Sequence, residues 1–206
     1  MQFHYAPNTI SLATALALIE TETDVDYVRV DFAKAEQTSP AYLAINPKGR
    51  VPALVTDHGI LTETGALLDY VAALNPDKNL IPDDPYTAAQ MREVMWYLGT
   101  TMHVNHAHKM RGHRWADQDA SLRDMTAKVA ETMGASCAYL QDKIAGPYVV
   151  GDAVSLADFY LFTLCTWLPG DGVNIADYPT LSAHFDLMMT RPAVIKALEM
   201  GLFTKV

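Results

Sequence analysis

The hydrophobic and polar positions of the first 76 residues predict short strands that alternate with short helices. Residues 3–5 form a brief apolar run, whereas residues 11–20 place leucine, alanine and isoleucine at helical spacing. Residues 26–32 alternate apolar and polar side chains, as a half-buried strand does. The pattern continues with a helix over 41–45, strands over 51–55 and 60–61 joined by a turn at 57–59, and a helix that ends at Asn75-Pro76. The predicted order is β-α-β-α-β-β-α, a parallel βαβ unit followed by a hairpin and a closing helix.

The remainder of the chain predicts helices alone. Residues 77–86 are polar and contain two prolines, so we expect a linker between a first domain at 1–76 and a second domain at 87–206. Residues 156–168 are apolar nearly all round, which is typical of a buried central helix. The chain is therefore expected to combine an α/β domain with an all-α domain.

Charge and cysteine content indicate which partners and which cellular compartment to expect. The formal net charge is −9 and the pI about 5.1, so the surface repels phosphate backbones, and nucleic acid is not an expected partner. No apolar run approaches the ~18 residues of a membrane span, and the N-terminus lacks the pattern of a signal peptide. Two cysteines without a C-x-x-C pair argue against a disulfide framework. We expect a cytoplasmic protein without a membrane partner.

Three sequence motifs occur in a fixed order along the chain and together indicate one family. They are Asn46-Pro47-Lys48-Gly49-Arg50-Val51-Pro52-Ala53-Leu54, Leu61-Thr62-Glu63-Thr64-Gly65-Ala66-Leu67 and Gly151-Asp152-Ala153-Val154-Ser155-Leu156-Ala157-Asp158. In these motifs and in their spacing, the whole chain resembles the cytosolic glutathione transferases. The resemblance implies a thioredoxin-like N-terminal domain that holds glutathione, an all-helical C-terminal domain, a two-fold homodimer and a role in detoxification.

The first two motifs contain the expected glutathione site. The resemblance implies a cis Val51-Pro52 bond that turns the strand edge toward an extended tripeptide. It also implies that Thr64 binds the γ-glutamyl carboxylate through its N–H and hydroxyl, and that Glu63 faces the γ-glutamyl amino group. A helix start suits an anion, because backbone donors there are unpaired and the helix dipole favours negative charge. The residues expected to bind glutathione are Lys48, Arg50, Val51, Pro52, Glu63, Thr64 and His106.

The third motif is expected to be structural. Ser155 and Asp158 have the spacing of a capping box, with aspartate in place of the usual glutamate, and they precede the predicted buried helix. Val154 and Phe159 flank the motif as a hydrophobic staple. This pattern explains how the buried helix begins, and we attribute no chemistry to it.

A glutathione transferase must keep the glutathione thiol ionised at neutral pH. A free thiol has a pKa near 8.5, and lowering it by about two units takes roughly 2.7 kcal/mol of preferential thiolate stabilisation. A hydrogen bond to a charged group supplies about 1.5–3 kcal/mol, and a helix N-terminus adds about 0.3–1 kcal/mol. One donor at the start of the first helix can therefore be enough.

The candidate donors lie in the loop before that helix. The layout is most similar to the bacterial beta class, which carries a cysteine one residue before the serine, but here that position is Ile10. The missing cysteine excludes a mixed disulfide with glutathione through this loop, and with it thioredoxin-type redox chemistry. Ser11 is the preferred donor because it lies at the predicted helix N-terminus, whereas Tyr5 fits the core or cleft lining better than a base. The candidate catalytic residues are Ser11, His103, Tyr5, Asn8 and Thr9.

Two histidines of the second domain are candidates for a place near the sulfur. His103 aligns best with a histidine that beta-class enzymes place there, but His106 follows one turn later on the same helix face, which leaves the choice between them open. A neutral histidine can donate a hydrogen bond, and a charged one adds a positive field. No acidic or cysteine partner accompanies the pair in the sequence, so we expect no metal site.

Three functions are compatible with these residues. The leading hypothesis is attack of the glutathione thiolate on a small apolar electrophile, with glutathione as the co-substrate. A second hypothesis is glutathione-dependent isomerisation or dehalogenation on the same fold. The third is a glutathione-binding protein without catalysis, which the missing cysteine keeps open. The sequence does not identify the electrophile, because its pocket comes from the variable end of the helical domain.

Overall fold

The computed structural model describes residues 1–204. The chain forms two compact units, which are described separately below. One unit comprises Met1–Ile81 together with residues 189–204, and the other comprises Pro82–Met188.

The first unit is built on a four-stranded mixed sheet. Strand β1 pairs in parallel with β2 and antiparallel with β3, and β3 pairs antiparallel with β4, which gives the order β2-β1-β3-β4. The elements are β1 (Gln2–Tyr5), α1 (Ser11–Glu20), β2 (Asp26–Arg29), α2 (Pro40–Leu43), β3 (Ala53–Thr56), β4 (Gly59–Thr62) and α3 (Thr64–Leu74). This order confirms the predicted thioredoxin-like arrangement. Phe3, Leu16, Leu54 and Leu67 contribute fully buried side chains to its core.

Strand β2 is shorter than the apolar alternation predicts. The prediction extended the strand to residue 32, but β2 ends at Arg29 and a 3₁₀ turn follows over Phe32–Lys34. The Asp31 carboxylate accepts a hydrogen bond of 3.0 Å from the Ala33 N–H and so caps that turn. A side chain that bonds its own backbone competes with strand pairing, and here this local bond prevails over the alternating pattern.

The second unit is helical, as predicted. Its elements are α4 (Pro85–Tyr97), a π-helical segment (Leu98–Met102), α5 (His103–Arg111), α6 (Asp119–Gln141), α7 (Leu156–Cys165) and α8 (Pro179–Met189). Every residue of α7 is buried, which confirms the predicted central helix, although α7 ends at Cys165 rather than at residue 168. The only β pairing among residues 82–188 is an isolated bridge between Tyr148 and Gly151.

The last described residues belong to the first unit, although the prediction grouped them with the helical domain. Helix α9 (Pro192–Glu199) buries Ala193, Val194 and Ala197 and packs on α1. An ion pair joins Arg191 to Glu20. Because these contacts connect distant parts of the sequence, local periodicity carries no sign of them.

The capping motif forms around a fully buried carboxylate. Asp158 accepts hydrogen bonds from the Ser155 N–H and hydroxyl, both at 2.7 Å, and from the Val149 N–H at 2.8 Å. His184 Nε2 lies 2.8 Å from Asp158 Oδ1 and supplies a further partner from α8. The predicted capping box is therefore present, and it also ties the start of α7 to a neighbouring helix.

Both cysteines are free and buried. Burial raises the pKa of the Cys137 thiol to about 12 and also raises the pKa of Cys165 well above its ordinary value. Neither thiol is poised to react, because the reactive form is the thiolate. Within residues 1–204, no helix is long and apolar enough to cross a membrane.

Candidate functional site

The register of β3 and β4 brings the first two motifs together. Ala53 pairs with Thr62, so the chain just before β3 runs beside the chain just after β4. The Val51-Pro52 peptide bond is cis, as the family resemblance implied. Within residues 1–204, the Val51 N–H and C=O make no hydrogen bond to the protein. This edge therefore offers one backbone donor and one backbone acceptor to an extended peptide.

The start of α3 presents further unpaired donors beside this edge. Glu63, just before the helix, has a φ of 74°, which few residues other than glycine adopt. Within the described residues, the amides of Thr64, Gly65 and Ala66 donate to no protein acceptor, and the Thr64 hydroxyl is also without a protein hydrogen bond. A side chain added at Gly65 would meet nothing within 4 Å. Free amides, a hydroxyl and open space together are an arrangement that suits an anion.

Lys48 and Arg50 contribute in different ways to this edge. Lys48 Nζ forms an ion pair with Glu63 and donates to Thr62 Oγ1 at 2.7 Å. The Arg50 side chain is exposed, while its carbonyl accepts from the Asn46 side-chain amide at 2.6 Å and from the Tyr42 hydroxyl. Lys48 thus adds positive charge next to Glu63, and the Arg50 backbone holds the chain that leads to Val51.

The loop before α1 is closed by its own hydroxyl groups. Ser11 is buried, and its Oγ accepts from the Ala6 N–H at 3.2 Å and lies 3.0 Å from the Ala6 carbonyl oxygen. Thr9 Oγ1 lies 2.7 Å from both the Ala6 carbonyl oxygen and Ser11 Oγ. Two hydroxyl protons thus serve acceptors inside the loop. Thr9 is partly exposed, so its hydroxyl can rotate and donate to a ligand while Ser11 keeps its hydrogen bond to Ala6.

Asn8 and Tyr5 have structural contacts of their own. Asn8 adopts a φ of 58°, and its side-chain oxygen accepts from the Thr204 N–H at 2.9 Å. The Asn8 N–H donates to the Leu202 carbonyl at 3.1 Å. Tyr5 packs edge-on against Tyr27, with 6.0 Å between ring centroids. The end of the described chain therefore holds the loop, a contact that sequence reasoning missed.

The two candidate histidines of α5 meet partners that the sequence analysis did not find. The His103 and His106 rings lie 5.2 Å and 4.2 Å from the Trp167 ring, centroid to centroid. His106 Nδ1 lies 2.7 Å from a carboxylate oxygen of Asp171, which is buried. An acidic partner does accompany one histidine, contrary to the expectation from the sequence. The five-residue π-helical segment just before His103 sets the orientation of α5, and no simple periodicity predicts it.

No metal site is visible in the described residues. Among residues 1–204, no group of three or more histidine, cysteine, aspartate or glutamate side chains could hold a metal ion.

Comparison with known proteins agrees with this geometry. The family model for the glutathione S-transferase N-terminal domain matches residues 2–73, and that for the C-terminal domain matches residues 91–192. Glutathione S-transferase GstA from Escherichia coli O157:H7 is 30% identical over 202 residues, covering 97% of this chain and 98% of that protein. Maleylacetoacetate isomerase from Pseudomonas aeruginosa is 28% identical, covering 95% and 93%.

A solved structure is more similar still. The crystal structure of a glutathione transferase homologue from Sulfitobacter, with bound glutathione, is 55% identical, covers 98% of both chains and has a TM-score of 0.96. The chain therefore belongs to the glutathione S-transferase family. Its fold is the glutathione transferase fold, a thioredoxin-like unit followed by a helical domain.

Proposed function

We propose that the chain is a glutathione transferase that conjugates the glutathione thiolate to a small apolar electrophile. The observation that carries the proposal is that two sets of free backbone groups lie side by side. One set is the Val51 N–H and C=O, and the other is the unpaired amides of Thr64, Gly65 and Ala66. An extended peptide that ends in a carboxylate can satisfy both sets at once. The Sulfitobacter homologue with bound glutathione supports this choice of peptide.

Two anchoring roles follow for the γ-glutamyl end of glutathione. Thr64 binds the γ-glutamyl carboxylate through its amide and hydroxyl, while Glu63 receives the γ-glutamyl amino group. Lys48 lies next to Glu63 and balances its charge. Val51 pairs with the peptide backbone in the manner of an added strand.

For thiolate stabilisation, hydrogen-bond energies favour the Ile10 N–H and the Thr9 hydroxyl as donors. The Ser11 hydroxyl, which the sequence favoured, is less suitable. The Ile10 N–H precedes α1 and donates to no protein acceptor within residues 1–204, so a bond to the sulfur costs no existing bond. Thr9 must give up one neutral hydrogen bond, worth about 0.5–1.5 kcal/mol, to gain a charged one worth about 1.5–3 kcal/mol. Ser11 is buried and is better suited to holding the loop.

Replacing Thr9 by valine is expected to raise the pKa of the glutathione thiol in the complex by about one unit, since one unit corresponds to 1.36 kcal/mol. Thr9→Ser keeps the hydroxyl and should leave the pKa of the bound thiol close to the wild-type value. Ultraviolet absorbance of the thiolate during a pH titration measures both. An unchanged pKa in Thr9→Val would remove the hydroxyl from the site and leave the Ile10 amide as the donor.

A second function has specific support. Maleylacetoacetate isomerase from Pseudomonas aeruginosa is 28% identical along nearly the whole chain, which favours glutathione-dependent isomerisation as the alternative. The two activities use the same bound thiolate, so glutathione binding alone does not separate them. Product analysis does, because conjugation consumes glutathione while isomerisation returns it. A glutathione-binding protein without catalysis predicts neither product.

We also propose that the protein works as a cytoplasmic homodimer. Large apolar side chains are exposed on three helices, including Leu74 on α3, Trp96 on α4 and Met110 on α5. Exposed apolar groups of this size suit a partner surface, and two-fold dimers are the commonest oligomers. Sedimentation equilibrium at micromolar concentration is expected to give twice the chain mass of 22.7 kDa. A mass equal to that of one chain would contradict the dimer.

A further inference from the structure

The first unit contains a buried histidine to which the proposed chemistry gives no role. His4 lies on β1, where its backbone pairs with Val28 of β2 and Ala53 of β3. The residue is 5% exposed, and its Nε2 is buried without a hydrogen-bond partner within residues 1–204. Its ring packs edge-on against the Tyr42 ring of α2, with 5.9 Å between the ring centroids. A titratable side chain with an unsatisfied nitrogen in such a place needs an explanation.

Tyr42 connects His4 to the backbone groups that are proposed to bind glutathione. Its hydroxyl donates at 2.7 Å to the carbonyl of Arg50, the residue just before Val51. Its side chain also belongs to one small cluster of buried side chains that includes Val51 and Ala6. Because close-packed side chains transmit displacements, the position of the Tyr42 ring affects both the Val51 edge and the loop that begins at Ala6.

Glu36 gives His4 a second connection to the same edge. It lies in a 3₁₀ turn, and its Oε2 accepts a hydrogen bond of 2.7 Å from the Asp31 N–H. The turn lies against the chain that leads to Val51, since a Cβ added at Gly49 would come within 3.0 Å of the Gln37 carbonyl oxygen. The carboxylate that acts on His4 therefore also holds this turn in place.

Protonation of His4 is costly in this arrangement. Among the described residues, the titratable and charged groups on the elements around His4 are Tyr42 on α2, Glu36 on the 3₁₀ turn, Asp26 on β2, and Lys48, which reaches the sheet at Thr62. Burial lowers the pKa of His4 below its ordinary value, and the Glu36 carboxylate offsets part of this effect. Burial raises the pKa of Tyr42 to about 12, so this neighbour stays neutral. An imidazolium would also carry a hydrogen on Nε2, which has no acceptor within the described chain.

We propose that His4 makes glutathione binding sensitive to pH by controlling the 31–51 segment, which runs from Asp31 to Val51. The inference rests on the proposed function and adds a regulation of that same site. When His4 is neutral, its ring supports Tyr42 and the Val51 backbone groups stay in place. When His4 is protonated, its ring turns toward Glu36, that carboxylate gives up its bond to Asp31, and the segment opens.

The direction of the pH effect follows from the burial of His4. The open segment exposes the ring to water, so there it takes up a proton near the ordinary histidine pKa of about 6.5. The closed segment takes up the proton only at lower pH. The closed arrangement is therefore fully stable above about pH 6.5 and loses stability as the pH falls from there toward the lowered pKa.

Amide hydrogen exchange of the free protein tests the opening. Between about pH 7.5 and 5.5, amides of the 31–51 segment are expected to lose about five- to tenfold of their protection, because one proton changes the opening equilibrium by at most about tenfold per pH unit. Protection is corrected for the slower chemical exchange at low pH, and the amides of α3 in the same unit should keep theirs. His4→Phe keeps an aromatic ring beside Tyr42 but cannot be protonated, so its protection should not depend on pH. The matched control is His58→Phe, which changes an exposed histidine in the β3–β4 turn and should behave like the wild type.

Titration calorimetry with S-methylglutathione tests the consequence for binding. This probe has no ionisable thiol, so ionisation of sulfur cannot contribute to the pH dependence. Over the same pH range its Kd is expected to rise about three- to tenfold in the wild type and in His58→Phe, since apparent affinity falls with the closed fraction. In His4→Phe the Kd should stay within about twofold.

Four outcomes count against the inference. Constant protection of the 31–51 segment in the wild type would overturn it, whether or not His4→Phe folds. An equal rise of the Kd in His4→Phe would assign the pH dependence to another group, and lost protection with an unchanged Kd would show that the opening does not control binding. Absence of any binding of glutathione or S-methylglutathione at the higher pH would defeat the proposed function itself, and the regulation inferred from it would fall too.

Discussion

Replacing Asp158 by alanine is expected to lower the free energy of unfolding of the helical unit by about 3–5 kcal/mol. The carboxylate is fully buried and accepts from two backbone amides, one hydroxyl and His184. Alanine would leave these donors buried without an acceptor, and each such loss costs about 1–3 kcal/mol. Because domains of this size are stable by only about 5–15 kcal/mol, the loss is a large part of the total.

Tryptophan fluorescence during urea unfolding measures this effect in the right unit. All three tryptophans of the chain, Trp96, Trp115 and Trp167, lie in the helical unit. The matched control is Asp152→Ala, which removes an exposed aspartate from the same motif and should change stability by about 0.5 kcal/mol or less. A loss below about 1 kcal/mol in Asp158→Ala would contradict the structural role of this carboxylate.

Replacing Thr64 by valine is expected to weaken glutathione binding by about 1.5–3 kcal/mol, the value of a hydrogen bond to a charged group. This corresponds to a Kd raised roughly 10- to 150-fold. Valine keeps the branched shape of threonine at the first position of α3 and removes the hydroxyl alone. The reason for the loss is that one donor to the γ-glutamyl carboxylate disappears while the backbone amides remain.

Titration calorimetry of the wild type, Thr64→Val and Thr64→Ser tests this role. Thr64→Ser restores the hydroxyl and should bind glutathione within about threefold of the wild type, since a serine hydroxyl has the same hydrogen-bonding capacity. Equal affinity in the valine variant would show that the amides at the start of α3 hold the carboxylate without help. Equal weakening in both variants would instead indicate that the packing of Thr64, rather than its hydroxyl, shapes the site.

The fold of the first unit could be predicted because its signals are local. Strand and helix periods, turn residues and the proline before β3 each depend on neighbours in the sequence, and together they give the order of β1 to α3. The error at the end of β2 has a local cause as well. The Asp31 side chain bonds to the Ala33 N–H, and an alternating apolar pattern does not reveal such a bond.

The candidate site could be predicted only in part, because its remaining contacts join distant residues. Thr64 and the cis Val51-Pro52 bond follow motifs, and the family resemblance indicated them. The partner of His106 is 65 positions away in sequence, and a π-helical segment sets the face on which the histidine lies. The Thr204 contact with Asn8 spans 196 positions. A single sequence carries no record of pairings at such separations.

The same limit explains the revised choice of thiol donor. The sequence favoured Ser11 because it lies at the predicted N-terminus of α1. The sequence does not show that the Ser11 hydroxyl is buried and bonded to both backbone groups of Ala6. Once these bonds are counted, the partly exposed Thr9 hydroxyl and the Ile10 amide have more capacity left for a ligand.

The ionisation of glutathione bound to the wild-type protein tests the central claim most directly. Ultraviolet absorbance of the thiolate, followed against pH in the presence and absence of the protein, gives the pKa of the bound and free thiols. We expect the bound thiol to ionise about one to two units below the free value near 8.5, so that roughly a quarter to three quarters of the bound glutathione is thiolate at pH 7. A bound thiol that titrates like free glutathione would contradict the proposed transferase and favour a glutathione-binding protein without catalysis.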